Sequence, residues 1–289
     1  MKPAPFVYFR PETVDEAVSL LSEHGDEGKI LAGGQSLIPM MNLRLAQPSA
    51  LIDVCAIGDL NGVRSNGELC VGATARQADV LESAAVGATL PIVPAALQLV
   101  GHTANRNRGT FGGSMAHADA AAELPAVLLA VGGSVVARGP GGERVIAADD
   151  FFESYLTTAL AEDELLCEVR LPKPAPDGLW GFMEMARRHG DFAMAGVAFT
   201  AELDNGTIRS ARIALLGVAD RAVRATAAEE ALAGQALPDP AASRDIGALA
   251  ARDLDPPYDQ HGSSQYRKDL AAVLVGRVID QAVARRSSR

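Results

Sequence analysis

Two glycine-rich stretches constrain this chain more than any other feature of its sequence. In the first, the strand candidate Lys29-Ile30-Leu31-Ala32 runs straight into Gly33-Gly34-Gln35-Ser36-Leu37-Ile38-Pro39. The second, Gly109-Thr110-Phe111-Gly112-Gly113-Ser114, lies inside a long polar stretch from Gly101 to Asp119. Consecutive glycines let main-chain amides converge on an anion with no Cβ atoms in the way. Ser36, Thr110 and Ser114 add hydroxyl donors beside them. Neither stretch is a GxGxxG ahead of a Rossmann helix, and neither is GxxxxGK[ST]. A diphosphate cradle without lysine suits a dinucleotide better than a transferable γ-phosphate. One such stretch alone reads equally as a tight turn; two, both in strand-to-loop contexts, point to a site.

The surrounding pattern alternates strands and helices, which argues for an α/β or α+β region. Strands are expected at Phe6–Phe9, Leu51–Val54 and Leu69–Gly72. Thr13 followed by Glu16 is a capping-box pattern, and Val14, Ala17, Val18 and Leu21 recur at helical spacing up to Gly25. Thr74 and Gln77 repeat that pattern ahead of a short helix. Further helices are expected over 91–100 and 121–131, with the polar stretch between them read as a functional loop. A hairpin turns at Gly139-Pro140-Gly141-Gly142.

Pro172-Lys-Pro-Ala-Pro-Asp-Gly178 is the best linker in the chain, so a domain boundary is placed near residue 177. Beyond it, 181–187 and 193–203 read as strands, and Asp204-Asn205-Gly206 supplies a type I′ turn into a strand over 207–218. Trp180 is expected in the core. Three helices follow at about 226–233, 240–253 and 264–285, the last with Leu270, Val273, Leu274 and Val278 as its buried stripe.

Composition narrows the function classes. With 48% hydrophobic and 21% charged residues over 289 positions, the chain closes a real core. No run reaches the ~18 apolar residues of a membrane span, and the start has no basic-then-apolar leader pattern, so a cytoplasmic protein is expected. A net charge of −10 without a basic stripe makes nucleic acid a poor partner. Cys55, Cys70 and Cys167 stand far apart and read as buried small hydrophobes, while the five histidines form no paired motif. No metal site and no catalytic acid or base is expected.

The motifs then carry a family resemblance. Residues 32–39, AGGQSLIP, resemble the AGG[HQ]SL signature of the flavoprotein (medium) subunits of molybdenum hydroxylases. TFGGS at 110–114 is similar to that family's T[IVL]GG[NS]. The likeness continues through Val71-Gly72-Ala73-Thr74, Ala121-Ala122-Glu123-Leu124-Pro125, Arg188-His189-Gly190-Asp191-Phe192-Ala193 and Tyr266-Arg267. It is best to the carbon-monoxide-dehydrogenase-type medium chain, related to the flavin domain of xanthine dehydrogenase. The resemblance implies an α+β chain: an FAD-binding fold of the vanillyl-alcohol-oxidase (PCMH) type over 1–176, in subdomains of about 1–60 and 61–176. A C-terminal α+β domain of antiparallel strands with helices then spans 177–289.

It also implies a cofactor set. Ala32, Gly33, Gly34, Gln35 and Ser36, with Thr110, Phe111, Gly112, Gly113 and Ser114, fall at the FAD diphosphate and ribityl chain. Leu31, Leu37, Ile38, Val100 and Leu166 complete the set. Glu123 falls near the adenosine part, unless it is an exposed helix-start acid. Asp191 and Phe192 match a GD[YF]A element whose aromatic lies near the flavin ring, unless Phe192 is core. Gln35 stands where some relatives of the wider fold tether flavin through histidine, so FAD is expected to be noncovalent. Related sequences often carry lysine near Met183 and tyrosine at Phe192. Arg106 and Arg108 flank the second loop, as candidates to balance a diphosphate or meet a partner, unless they are solvated loop charges.

The function implied is an electron-transfer subunit. A small [2Fe-2S] subunit and a large molybdopterin subunit would complete a trimer, doubled into an (αβγ)₂ assembly, with electrons passing to an external acceptor. The alternative is a self-contained FAD oxidoreductase of the same fold; a third is a flavin-free assembly module. Carbon monoxide, aldehydes, purines and other N-heterocycles all stay open as substrates of the complex, as do NAD, quinone and oxygen as acceptors.

Overall fold

A computed structural model describes residues 2–65 and 67–287. The chain opens with a small parallel sheet in which Ala50–Asp53 lies between Val7–Phe9 and Gly28–Leu31. Helix Val14–His24 connects the outer two strands and forms its capping box as expected. Thr13 Oγ1 accepts from the Glu16 amide at 3.2 Å, and the Glu16 carboxylate accepts from the Thr13 amide at 3.3 Å. The buried face of this helix, Ala17, Val18 and Leu21, packs on Ile52, Val54 and Leu165.

The second unit is a five-stranded antiparallel sheet in the order Val63–Ser65, Glu68–Gly72, Leu165–Pro172, Ser134–Gly139, Gly142–Ala147. Glu123–Val131 is its central helix, buried from Glu123 through Ala130 because nearly every position is apolar. The polar stretch from Gly101 to Asp119 is not a loop throughout. It contains two short helices, Thr103–Arg106 and Phe111–His117, so the second glycine motif is helical. The second capping-box pattern does not form. Thr74 is buried with its hydroxyl unpaired, and helix Gln77–Glu82 has Arg76 at its N-cap.

Leu179–Met185, Ala195–Asp204, Thr207–Leu216 and Val223–Arg224 make a four-stranded antiparallel sheet. Asn205 and Gly206 both take positive φ, 49° and 84°, as a type I′ turn requires. This sheet is covered on both faces, and the period of two sorts its side chains. Val197, Phe199, Ile213 and Leu215 pack with helix Ser264–Ser287, whereas Ala198, Ala214 and Leu216 join the core of helix Glu123–Val131. One apolar core therefore runs across the Pro172–Gly178 stretch. Within the last helix Leu274 and Val278 are buried as expected, but Val273 is 48% exposed. Trp180 is only partly buried and carries the Arg285 guanidinium over its ring, 3.9 Å from the centroid. No helix among the described residues is long and apolar enough to cross a membrane.

Candidate functional site: the first glycine loop and its cavity

Strand Gly28–Leu31 delivers the chain into the first glycine loop, which ends in the short helix Leu37–Asn42. Gly34 takes φ 71°, a left-handed turn that only glycine adopts without strain. The Ile38 amide closes onto the Gly34 carbonyl at 3.1 Å. Among the described residues, the amides of Gly33, Gly34, Gln35 and Ser36 have no hydrogen-bond acceptor. Unpaired amides are rare in folded proteins unless they face solvent or a ligand. The Gln35 side chain is turned onto its own loop, Nε2 donating to the Gly33 carbonyl at 3.2 Å.

The second glycine loop is built differently. Most of its amides are already engaged: Phe111 donates to the Ala75 carbonyl at 2.9 Å, Gly112 to Ala73 at 3.0 Å and Ser114 to Thr110 at 3.2 Å. The Gly113 amide donates to Thr110 Oγ1 at 3.1 Å. These glycines therefore serve close backbone packing rather than a converging set of free amides. A Cβ on Gly112 would fall 2.6 Å from the Ala73 Cα, and one on Gly113 2.5 Å from Thr110 Oγ1. The second loop in turn braces the first, because a Cβ on Gly33 would lie 2.6 Å from the Arg108 carbonyl oxygen.

A cavity of about 580 Å³ opens on the first loop, lined by Leu31–Gln35, Ile38 and Pro39 together with Asp53, Cys55, Arg76 and Arg108. Its charged groups are one acid and two guanidiniums. Both Asp53 oxygens are occupied: Oδ2 accepts from the Tyr8 hydroxyl at 2.6 Å and Oδ1 from the Cys55 amide at 3.0 Å. Burial works against the Asp53 carboxylate, but those two bonds, with the Cys55 thiol and the Arg10 charge, outweigh it and hold its pKa below the usual value. Cys55 is half-buried rather than fully buried, as are Cys70 and Cys167. Its thiol donates to the Ala32 carbonyl at 3.1 Å, and burial pushes its pKa up. The residues fit an extended anionic ligand: free donors on one wall, a cation on another, and room for more than a phosphate.

Comparison with known proteins agrees with that chemistry. Residues 4–174 match the family described as "FAD binding domain in molybdopterin dehydrogenase", and residues 180–282 match "CO dehydrogenase flavoprotein C-terminal domain". This chain belongs to that flavoprotein family. Among its relatives, the 6-hydroxypseudooxynicotine dehydrogenase complex subunit alpha of Paenarthrobacter nicotinovorans is 39% identical over 99% of this chain and 97% of that protein. Caffeine dehydrogenase subunit beta of Pseudomonas sp. (strain CBB1) is 38% identical over 99% and 97%. Among solved structures, a chain of carbon monoxide dehydrogenase from Hydrogenophaga pseudoflava superposes with a TM-score of 0.96, at 40% identity and 99% coverage of both chains.

In this member of the flavoprotein family, the cavity brings together only part of the expected cofactor set. Leu31–Gln35 and Ile38 line it; Ser36, Leu37, Val100, Thr110–Ser114, Glu123, Leu166, Asp191 and Phe192 do not. Leu166 is in the core at 4% exposure. Phe192 is 72% exposed, which rules out the core reading for it. Glu123 is the opposite case, buried at 8% rather than an exposed helix-start acid. Burial, with the Glu184 and Asp119 carboxylates adding to it, pushes its pKa to about 8, and burial pushes Glu184 to about 7. His102 and His189 pack edge to face, ring centroids 6.1 Å apart, beside Gly190 at φ 86°. Burial lowers the pKa of His117, with Asp119 opposing. Arg106 is spent on the Val100 and Gly101 carbonyls at 2.9 and 3.2 Å. Sequence reasoning missed Asp53, Cys55 and Arg76. Each is a single residue with no motif of its own; strand pairing brings Asp53 and Cys55 to the first loop, and the bridge to Thr110 brings Arg76.

Proposed function

We propose that this chain is the electron-transfer subunit of a molybdenum-containing hydroxylase, taking electrons from a [2Fe-2S] partner subunit and delivering them to an external acceptor. The observation that carries this reading is the run of free amides at Gly33–Ser36 in the loop whose Gly33, Gly34 and Gln35 line the 580 Å³ cavity. FAD, when bound, supplies the redox chemistry, since a flavin takes up electrons singly and releases them as a pair. The chain's own work is binding and exclusion. Gly33, Gly34, Gln35 and Ser36 donate to the cofactor, with the second loop bracing them from behind. Gln35 has no nucleophilic ring nitrogen, so the attachment is noncovalent.

Among the described residues, no cluster of His, Cys, Asp or Glu is arranged to hold a metal ion. By the family's organisation, the molybdopterin and iron–sulfur groups belong to a large and a small partner subunit, in an (αβγ)₂ assembly in the cytoplasm. The two segments 1–176 and 177–289 form the FAD-binding and C-terminal domains. The substrate pocket lies on the large subunit, so relatives named for nicotine-derived compounds, caffeine and carbon monoxide share this kind of subunit.

The test is reconstitution. The purified chain is expected to retain FAD, to be reducible by dithionite, and not to oxidise carbon monoxide, aldehydes, purines or N-heterocycles alone. With both partner subunits added, the substrate of the complex reduces its flavin. Turnover of that substrate by the lone chain at the rate of the mixture would replace this reading with a self-contained oxidoreductase.

A further inference from the structure

We propose that Arg76 is the charge-neutralising residue of the cofactor's diphosphate site, an inference that rests on the FAD reading above. The backbone of Arg76 is fixed to the second glycine loop by an antiparallel bridge to Thr110, flanked by the Gln77 amide donating to the Gly109 carbonyl at 3.0 Å. From that anchor the guanidinium crosses toward the first loop. One nitrogen donates to the Arg108 carbonyl, another reaches Cys55 Sγ at 3.5 Å, and the side chain lines the same cavity as Gly33 and Gly34.

Its charge is unanswered. Arg64, Arg144, Arg170, Arg212 and Arg267 each have a carboxylate within 4.0 Å. Among the described residues Arg76 has none, although it is half-buried. A guanidinium removed from water is costly unless an anion faces it. Asp53 shares the cavity, yet both its oxygens are committed to Tyr8 and Cys55. Arg108 also lines the cavity, but its side chain is exposed and therefore more strongly screened.

The division of labour follows from the donors present. The four free amides of the first loop supply directed hydrogen bonds and little charge, whereas Arg76 supplies a full charge in a planar fork suited to phosphate oxygens. The ligand group that satisfies both is a diphosphate. Because Arg76 also holds the Arg108 carbonyl and touches Cys55, its engagement ties both glycine loops and the turn after Asp53 to the same ligand.

The experiment titrates FAD into the full chain stripped of cofactor, for wild type, Arg76→Lys and Arg76→Gln, at low and high salt, with riboflavin as the phosphate-free comparison. Arg76→Gln is expected to weaken FAD binding about 10- to 100-fold and flatten its salt dependence. Arg76→Lys keeps most of the affinity, and riboflavin binds all three alike. A footprint on wild type checks the location without a variant: FAD should protect Cys55 from maleimide while Cys70, outside the cavity, stays as reactive as before. If wild type binds FAD but Arg76→Gln binds it equally well with the same salt dependence, the role of Arg76 is overturned and the FAD reading stands. Saturation with FAD that leaves Cys55 unprotected also overturns it. If wild type binds no FAD, the functional reading itself fails.

Discussion

Gly33 rests on the backbone of Gly109: a Cβ added to Gly33 would lie 2.7 Å from the Gly109 Cα and 3.0 Å from the Thr110 nitrogen. The two glycine loops are thus one packed unit, and each glycine has its own reason. Gly33 and Gly112 allow two backbones to touch, whereas Gly34 supplies a positive φ. Gly33→Ala and Gly112→Val should therefore lower the melting temperature as well as strip the flavin. Gly34→Ala should cost about 1–2 kcal/mol through backbone strain. Gly87, inside helix Ala84–Thr89 with nothing within 4 Å of its Cβ position, is the control; its alanine variant should be neutral or slightly more stable. Melting curves with flavin content separate these classes, and a Gly33→Ala protein of unchanged stability would contradict the packing account.

The buried acids give the fold a pH dependence with a definite sign. Glu123 is raised from 4.5 to about 8 and Glu184 from 4.5 to about 7, so the folded chain holds protons that the unfolded chain releases. Their contribution is present in full below the ordinary carboxylate range and is lost as pH rises from about 4.5 to 8. His117, held neutral by burial, works in the other direction near its usual pKa. Glu184→Gln removes one titration and leaves that histidine alone. The variant should match wild type near pH 5 and melt a few degrees higher near pH 8, roughly 2–4 °C per kcal/mol for a chain of this size. Parallel melting profiles across that range measure the difference; equal curves at pH 8 would count against it.

Phe192 offers a cleaner separation of roles. At 72% exposure its side chain buries little, so Phe192→Ala should change the stability of the chain by no more than about 0.5 kcal/mol. If the aromatic lies near the flavin, as the GD[YF]A likeness implies, the same variant shifts the flavin absorbance or potential. A large loss of stability with an unchanged spectrum would reverse both expectations.

What the sequence made legible was what local chemistry decides. Thr13 and Glu16 close a capping box within one turn of helix, and Asn205-Gly206 needs only its own φ angles to turn a hairpin. The same logic misfired at Thr74, whose amide is taken by the Leu60 carbonyl at 2.9 Å, so the chain is still pairing with its neighbour where a cap was expected. Helix Phe111–His117 was hidden because its two glycines disfavour helix; distant acceptors at Ala73 and Ala75 hold its first turn. The cavity was half-legible for the same reason. Gly33 and Gly34 announce themselves as a motif, while Asp53, Cys55 and Arg76 reach the site only through strand pairing and the bridge to Thr110.

Arg267 shows how a motif that signals a family can be structural in its physics. It is 6% exposed and sits at the start of the last helix, where it donates to the Met194 carbonyl at 2.7 Å and the Gly217 carbonyl at 3.2 Å, with Asp259 Oδ2 2.7 Å away. Gly217 in turn donates to the Ala120 carbonyl at 2.7 Å, just ahead of the central helix. One guanidinium therefore pins the C-terminal helix to the ends of two strands that touch the FAD-binding region. Arg267→Ala leaves the Met194 and Gly217 carbonyls without their side-chain donor, while Asp259 keeps the His261 and Gly262 amides, and should destabilise the chain by about 1–3 kcal/mol for each orphaned carbonyl. Arg267→Lys keeps the charge but has no fork to span the Met194 and Gly217 carbonyls and Asp259 at once, so it should recover only part of that loss. Urea denaturation followed by circular dichroism measures both, through the shift in midpoint at constant slope. A lysine variant as stable as wild type would mean that charge alone, and not the forked geometry, holds this corner together.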